Sequence, residues 1–181
     1  MLSRLFYSYR KKRLFLAYRK QKRVVKIITL ADARSVGIIW NPADEESIET
    51  YESLRKILTE KGIKSFGIAY IGSKREKETL STVSNSWLIN NGNVSFFGKP
   101  QSGDGIHFLQ QEFDILIDLS ISKTLALQYI LIHSAARFKV GWRAEDPNVY
   151  DLEIDVTANP NCRYLMEHII HYLEKLNENY R

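Results

Sequence analysis

Five polar residues sit where an α/β protein keeps its chemistry. Asp118, Ser120, Ser122 and Lys123 end or follow the apolar run 113–119, and Asp44 follows the run 36–40. In open α/β sheets, ligands gather at the carboxyl ends of the parallel strands. A carboxylate there can act as a base or bind a hydroxyl, so Asp44 and Asp118 are the candidate catalytic residues. Ser120, Ser122 and Lys123, with the first amides of the helix that follows, could hold a phosphate. Each also has a plainer role: Ser122 as a helix cap, Lys123 as a solvated cation, Asp44 as the cap of the helix after the first strand. The turn 142–146, after the run 138–142, is a third place of this kind.

The motifs that would sharpen these candidates are missing. No Gly-x-Gly-x-x-Gly follows a strand, and there is neither a phosphate-cradling Walker loop nor a Gly-x-Ser-x-Gly elbow. Cys162 stands at a helix start, where a thiol pKa can fall, but a buried structural thiol is the simpler reading. His168 and His171 lie three apart on the last helix, yet no third ligand with zinc spacing accompanies them. His107 and His133 have no evident partners. No metal and no cofactor are expected, and the balance leans away from an enzyme.

The charge layout is more distinctive. Residues 1–26 hold ten cations and no acid: Arg4, Arg10, Lys11, Lys12, Arg13, Arg19, Lys20, Lys22, Arg23 and Lys26. The first carboxylate is Asp32, and the rest of the chain is net acidic. A basic arm on a mildly acidic body points to a polyanionic partner, either nucleic acid, a ribosome, or an anionic lipid surface. No Gly or Pro interrupts residues 1–33, so the arm is predicted to be a helix. At about 100° per residue, most of its cations share a third of the wheel. Leu2, Leu5, Phe6, Tyr9, Leu16, Val24 and Ile27 share another sector, which Arg13 and Lys20 interrupt. Phe6, Tyr7, Tyr9, Phe15 and Tyr18 interleave the cations and could stack on bases or sit at a lipid interface. A helix packed on its own body, with its cations solvated, is the alternative.

The remaining sequence must position all this. It has 181 residues, 44% hydrophobic and 26% charged, enough for one globular domain with its own core. No apolar run approaches the ~18 residues of a membrane span. No secretory apolar core precedes a cleavage site. The single cysteine fits a reducing compartment, so the expected location is the cytoplasm, including the inner face of its membrane. Strands are predicted at 36–40, 66–71, 94–97, 113–119 and 138–142, and helices at 45–61, 106–111 and 123–136. Residues 149–156 alternate apolar and acidic, which predicts an edge strand, antiparallel in one reading. Asn159 and Pro160 are predicted to cap and start a final helix over 161–178. The expected architecture is a three-layer, doubly wound, mostly parallel α/β sheet of Rossmann-like type. An arm over 1–33 would precede a domain over 34–181.

The segment 113–142 resembles the strand-helix-strand unit in the N-terminal half of heptosyltransferase-type glycosyltransferases. It carries a D-x-x-I-D-L-like strand at Asp114–Leu119 and an A-A-R-x-x-V-G turn at Ala135–Gly141. The resemblance implies two Rossmann-like halves, with a sugar nucleotide held mainly by the second, which 181 residues cannot contain. Asp44 would stand at that family's catalytic aspartate, although its glycine-rich loop is replaced by Trp40-Asn41-Pro42-Ala43. The whole chain resembles an uncharacterised domain-of-unknown-function family of Bacteroidota proteins, which implies no activity. The leading expectation is a non-enzymatic α/β protein docked on a polyanion through its arm. The alternative is a nucleotide- or sugar-phosphate-binding enzyme.

Overall fold

Short runs rich in Val, Ile and Leu suit strands buried on both faces, and here they build the centre of a parallel sheet. A computed structural model describes residues 2–18, 23–72, 80, 83–101, 103–142 and 149–176, with the side chains of 2–6, 17 and 18 outside the description. In chain order the elements are α1 (Leu2–Tyr18), β1 (Ser35–Trp40), α2 (Ser47–Glu60), β2 (Lys64–Ile71) and β3 (Ser86–Asn90). They continue with α3 (Asp104–Leu109), β4 (Ile115–Asp118), α4 (Leu125–His133), β5 (Phe138–Gly141), β6 (Leu152–Glu153) and α5 (Cys162–Lys175).

The six strands lie in the order β3-β2-β1-β4-β5-β6, and every pairing is parallel. This is the doubly wound, Rossmann-like arrangement, with its direction of winding reversed between β1 and β4. Side chains alternate between two cores, as the pleat requires. Val36, Ile38 and Trp40 of β1, with Ile115 and Ile117 of β4, pack under Tyr51, Leu54 and Leu58 of α2 and Leu165, Ile169 and Leu173 of α5. Ile39, Ile68, Ile89 and Leu116 face the other way, against Leu14 of α1, Phe108 of α3 and the apolar length of α4. Burying each such side chain contributes about 1.5–3 kcal/mol. The Trp40 and Tyr51 rings stack 4.7 Å apart, and the Tyr51 hydroxyl donates to the Asn85 carbonyl at 2.8 Å. Gly67 lets that tyrosine lie flat on β2, since a Cβ there would come within 2.5 Å of the Tyr51 ring.

Several expectations change. The helix foreseen over residues 1–33 ends at Tyr18, and residues 23–29 run as non-helical chain. Tertiary bonds fix that stretch instead: the Lys26 amide donates to the Arg137 carbonyl and the Leu30 amide to the Leu173 carbonyl. The strand foreseen at 94–97 is a turn, with Val94 bridged only to Pro100. The edge strand is Ser86–Asn90, eight residues upstream, paired on β2. The alternating stretch 149–156 does lie at a sheet edge, but only Leu152–Glu153 pairs, and it pairs parallel to β5. Alternation reports a half-wet face and carries no strand direction. The helix after β4 and the last helix are capped by Thr124 and Asn161, each two residues beyond the foreseen caps Ser122 and Asn159. The Asn161 side chain accepts the amides of both Arg163 and Tyr164.

Candidate functional site

The crevice between β1 and β4 is where a doubly wound sheet normally takes its ligand. Here two loops meet across it and bond to each other. The Asp44 carboxylate, half-buried after β1, accepts the Ile121 amide at 2.7 Å and the Ser122 amide at 3.0 Å. Asn41, buried, donates its side-chain amide to the Ser122 carbonyl at 2.9 Å. Asp44 therefore does not cap α2, whose capping residue is Glu46 in a left-handed conformation with φ 56°. Two loop amides ahead of α4, those of Ile121 and Ser122, are thereby spent on Asp44.

Behind this staple lies a buried polar cluster. Asp118, at the end of β4, is 2% exposed. One of its oxygens accepts the Ser120 amide at 2.9 Å and the Ser120 hydroxyl. The other accepts Lys123 Nζ at 3.0 Å and the Tyr150 hydroxyl at 2.6 Å. Lys123 Nζ also donates to the Ser120 carbonyl at 2.7 Å and lies 3.1 Å from the Tyr150 oxygen. Lys123 is thus held inside, not solvated. A Ser–Tyr–Lys grouping at strand ends could do proton chemistry, but its electrostatics run the other way. Burial pushes the Tyr150 hydroxyl well above its usual pKa, and the Asp118 charge pushes it further. A tyrosine held protonated against a carboxylate is no general base near neutral pH. The cluster instead ties the loop after β4 to the chain entering β6.

The three foreseen ligand residues and both foreseen acids therefore gather at one place, bonded mainly to each other. Ser122 is exposed but caps nothing; Thr124 accepts the Leu127 amide at 3.3 Å in its stead. Cys162 is buried, with its thiol on the Glu45 carbonyl at 2.9 Å, and burial raises its pKa. His168 lies against Tyr164, ring centres 4.3 Å apart. Among the described residues, no group of three or more His, Cys, Asp and Glu could hold a metal ion.

Beside the cluster a groove of about 560 Å³ opens between α1 and the carboxyl ends of β2, β3 and β4. Tyr7 and Arg10 of α1 form one wall; Tyr70, Asn91, Phe96, Lys123 and the start of α4 form the others. The Arg10 guanidinium stacks over the Phe96 ring at 4.2 Å. Gly98 closes the turn beneath with φ 79°, and a Cβ there would strike the Leu125 carbonyl.

The basic arm divides. Leu14 is buried against the body, and Arg23 is locked inside by Asp151, with N–O distances of 2.5 and 2.6 Å. Arg23 also donates to the Ala136 and Arg137 carbonyls. It is therefore a structural anchor instead of a free cation. Arg10 and Lys11 are half-buried, whereas Lys12, Arg13 and Lys26 are exposed. Arg19, Lys20 and Lys22 lie outside the described residues, as does the side chain of Arg4. Among the described residues, no helix is long and apolar enough to cross a membrane.

Tyr150, Asp151 and Lys139 escaped the sequence reading. Tyr150 and Asp151 stood in an alternating strand as one apolar and one wet position. Lys139 lies in the apolar run of β5; it is fully buried and donates to the Leu131 and Ile132 carbonyls at 2.6 and 3.1 Å. Burial lowers its pKa to about 7, the nearby Arg23 adds to the shift, and Asp151 opposes it. A lone lysine within a hydrophobic run was the only available signal.

These features define a doubly wound α/β protein whose ligand crevice is stapled by its own side chains and whose N-terminal helix packs against one face of the sheet. The chain matches a family of unknown function, DUF6913, over residues 7–176, and it belongs to that family. No curated protein and no solved structure matches it.

Proposed function

We propose that the protein is a non-enzymatic α/β scaffold that docks on a polyanionic surface through its basic N-terminal segment. The observation that carries this reading is the outward face of α1. Lys12 and Arg13 stand exposed there, Lys26 stands exposed beyond it, and no acid occurs before Asp32. The engagement of Asp118, Ser120 and Lys123 with one another, and of Asp44 with the Ile121 and Ser122 amides, favours a structural role for the strand ends. Cations that meet phosphates without reading sequence give binding that falls steeply with salt. The reading carries with it a cytoplasmic location.

The test is binding of the full chain to an anionic polymer and to anionic vesicles across a salt series. Affinity should fall about tenfold or more between low salt and roughly 300 mM. The triple variant Lys12→Gln, Arg13→Gln, Lys26→Gln should bind more weakly at every salt. Binding indifferent to salt, or absent from both probes, overturns the reading.

One observation favours a second reading. The groove beside Arg10 has the volume of a small-ligand site, within the roughly 300–1,000 Å³ such sites occupy. A nucleotide or sugar phosphate lying there would raise the melting temperature, and Arg10→Ala would abolish the rise. A panel of nucleotides and sugar nucleotides that leaves the melting temperature unmoved removes this reading.

A further inference from the structure

The sequence divides α1 into a cationic and an apolar sector, and an ordinary surface helix turns its apolar sector to the core. Among the described side chains of this helix, the members of the apolar sector turn to solvent instead. Leu14 points into the body at 5% exposure, with Tyr7, Arg10 and Lys11 on its flanks. Tyr9 and Leu16, members of the apolar sector, stand 53% and 47% exposed. At about 100° per residue they lie roughly opposite Leu14, with Lys12 and Arg13 on either side of them. The chain that follows continues the pattern. Val24, Val25 and Ile27 are 86%, 51% and 52% exposed, with exposed Lys26 among them. Five of the ten exposed large apolar side chains among the described residues (Tyr9, Leu16, Val24, Val25 and Ile27) fall within 9–27, interleaved with exposed Lys12, Arg13 and Lys26.

Aliphatic side chains discriminate between polyanions. A nucleic acid rewards cations and flat rings, but it offers Leu, Val and Ile little to bury against. An anionic bilayer rewards both at once: headgroups take the cations while aliphatic and tyrosine side chains enter the acyl boundary. We infer that the outward face of α1, together with residues 24–27, lies in the interfacial plane of an anionic membrane. Lys12, Arg13 and Lys26 would contact headgroups, and Tyr9, Leu16, Val24, Val25 and Ile27 would sit below them. This rests on the docking reading and names its surface. The body then hangs from the membrane through the buried Leu14 contact and the Arg23–Asp151 pair.

The test uses the full chain with two probes, phosphatidylglycerol–phosphatidylcholine vesicles and poly(U) RNA. Leu16→Ser and Ile27→Ser change exposed side chains, so circular dichroism should stay native. Each should weaken vesicle binding by about tenfold, the worth of one buried aliphatic side chain. Both should leave any poly(U) binding unchanged. A tryptophan placed by Tyr9→Trp should be quenched by brominated acyl chains. Vesicle binding that ignores the serine variants, or a residue-9 tryptophan that brominated lipid leaves untouched, overturns the membrane assignment. Salt-sensitive binding to poly(U) alone also overturns it while leaving the docking reading standing. Binding to neither probe removes both.

Discussion

Arg23 and Asp151 join through both carboxylate oxygens at 2.5 and 2.6 Å, across 128 residues of sequence. Their side chains are 14% and 12% exposed. The pair clamps the end of the basic segment to the chain entering β6, and Asp151 also accepts the Lys139 amide at 2.8 Å. Removing one partner leaves the other charge largely buried and unmatched. Arg23→Ala should therefore cost about 3 kcal/mol in denaturant unfolding. It should also open residues 23–30 to limited proteolysis well before global unfolding. A change below about 0.5 kcal/mol, the scale of an ordinary surface substitution, would show that the clamp is dispensable.

The cluster around Asp118 should behave as structure. Asp118→Asn leaves Lys123 without its counter-charge and is expected to cost about 3–5 kcal/mol. Tyr150→Phe removes one hydroxyl from the same carboxylate and should cost about 1–3 kcal/mol. The double variant should cost less than the sum, because both act on one oxygen of Asp118. Equilibrium urea unfolding of the three variants reads this coupling directly.

Asp44 should matter for the order of the loop after β4 and far less for α2. Asp44→Ala frees the amides of Ile121 and Ser122, and the loss of two charge-assisted bonds is worth about 2–3 kcal/mol. Hydrogen exchange should quicken at those two amides while the amides within α2 keep their protection. Faster exchange at the start of α2 instead would return Asp44 to a capping role.

Lys139 should make stability depend on pH on the alkaline side. Its folded pKa lies near 7, below the ordinary value of 10.5, so the unfolded chain binds more protons between these limits. Stability then rises from pH 7 toward pH 10, and the contribution is lost as pH falls through the folded pKa. The full swing is on the order of 5 kcal/mol. Lys139→Met should flatten the rise, whatever it does to the midpoint at pH 7. A wild-type urea midpoint that holds level from pH 7 to pH 10 would contradict this.

Local pattern was enough for much of the fold. The runs 36–40 and 113–119 read as strands, the first of them buried on both faces, and Tyr51, Leu54 and Leu58 read as one face of a helix. Both follow from periodicity, which needs no knowledge of neighbours. The short edge strands β3 and β6 were harder. An edge strand pairs on one side only, so its composition is diluted by polar residues, and its direction depends on the route of the chain. The carboxyl-end residues Asp44, Asp118, Ser120, Ser122 and Lys123 were also legible as a group, because strand ends are visible once strands are.

The sequence by itself determined the fold class, the run of ten cations before the first acid, and the residues that would meet at the strand ends. The tertiary structure alone decided what those residues do together. Asp118 meets Tyr150 across 32 residues, Asp44 meets Ser122 across 78, and Arg23 meets Asp151 across 128. It also decided that α1 turns Leu14 inward and Tyr9 and Leu16 outward. Periodicity encodes which side chains share a face. Which way that face turns is a competition between partners distant in sequence, and only the folded chain resolves it.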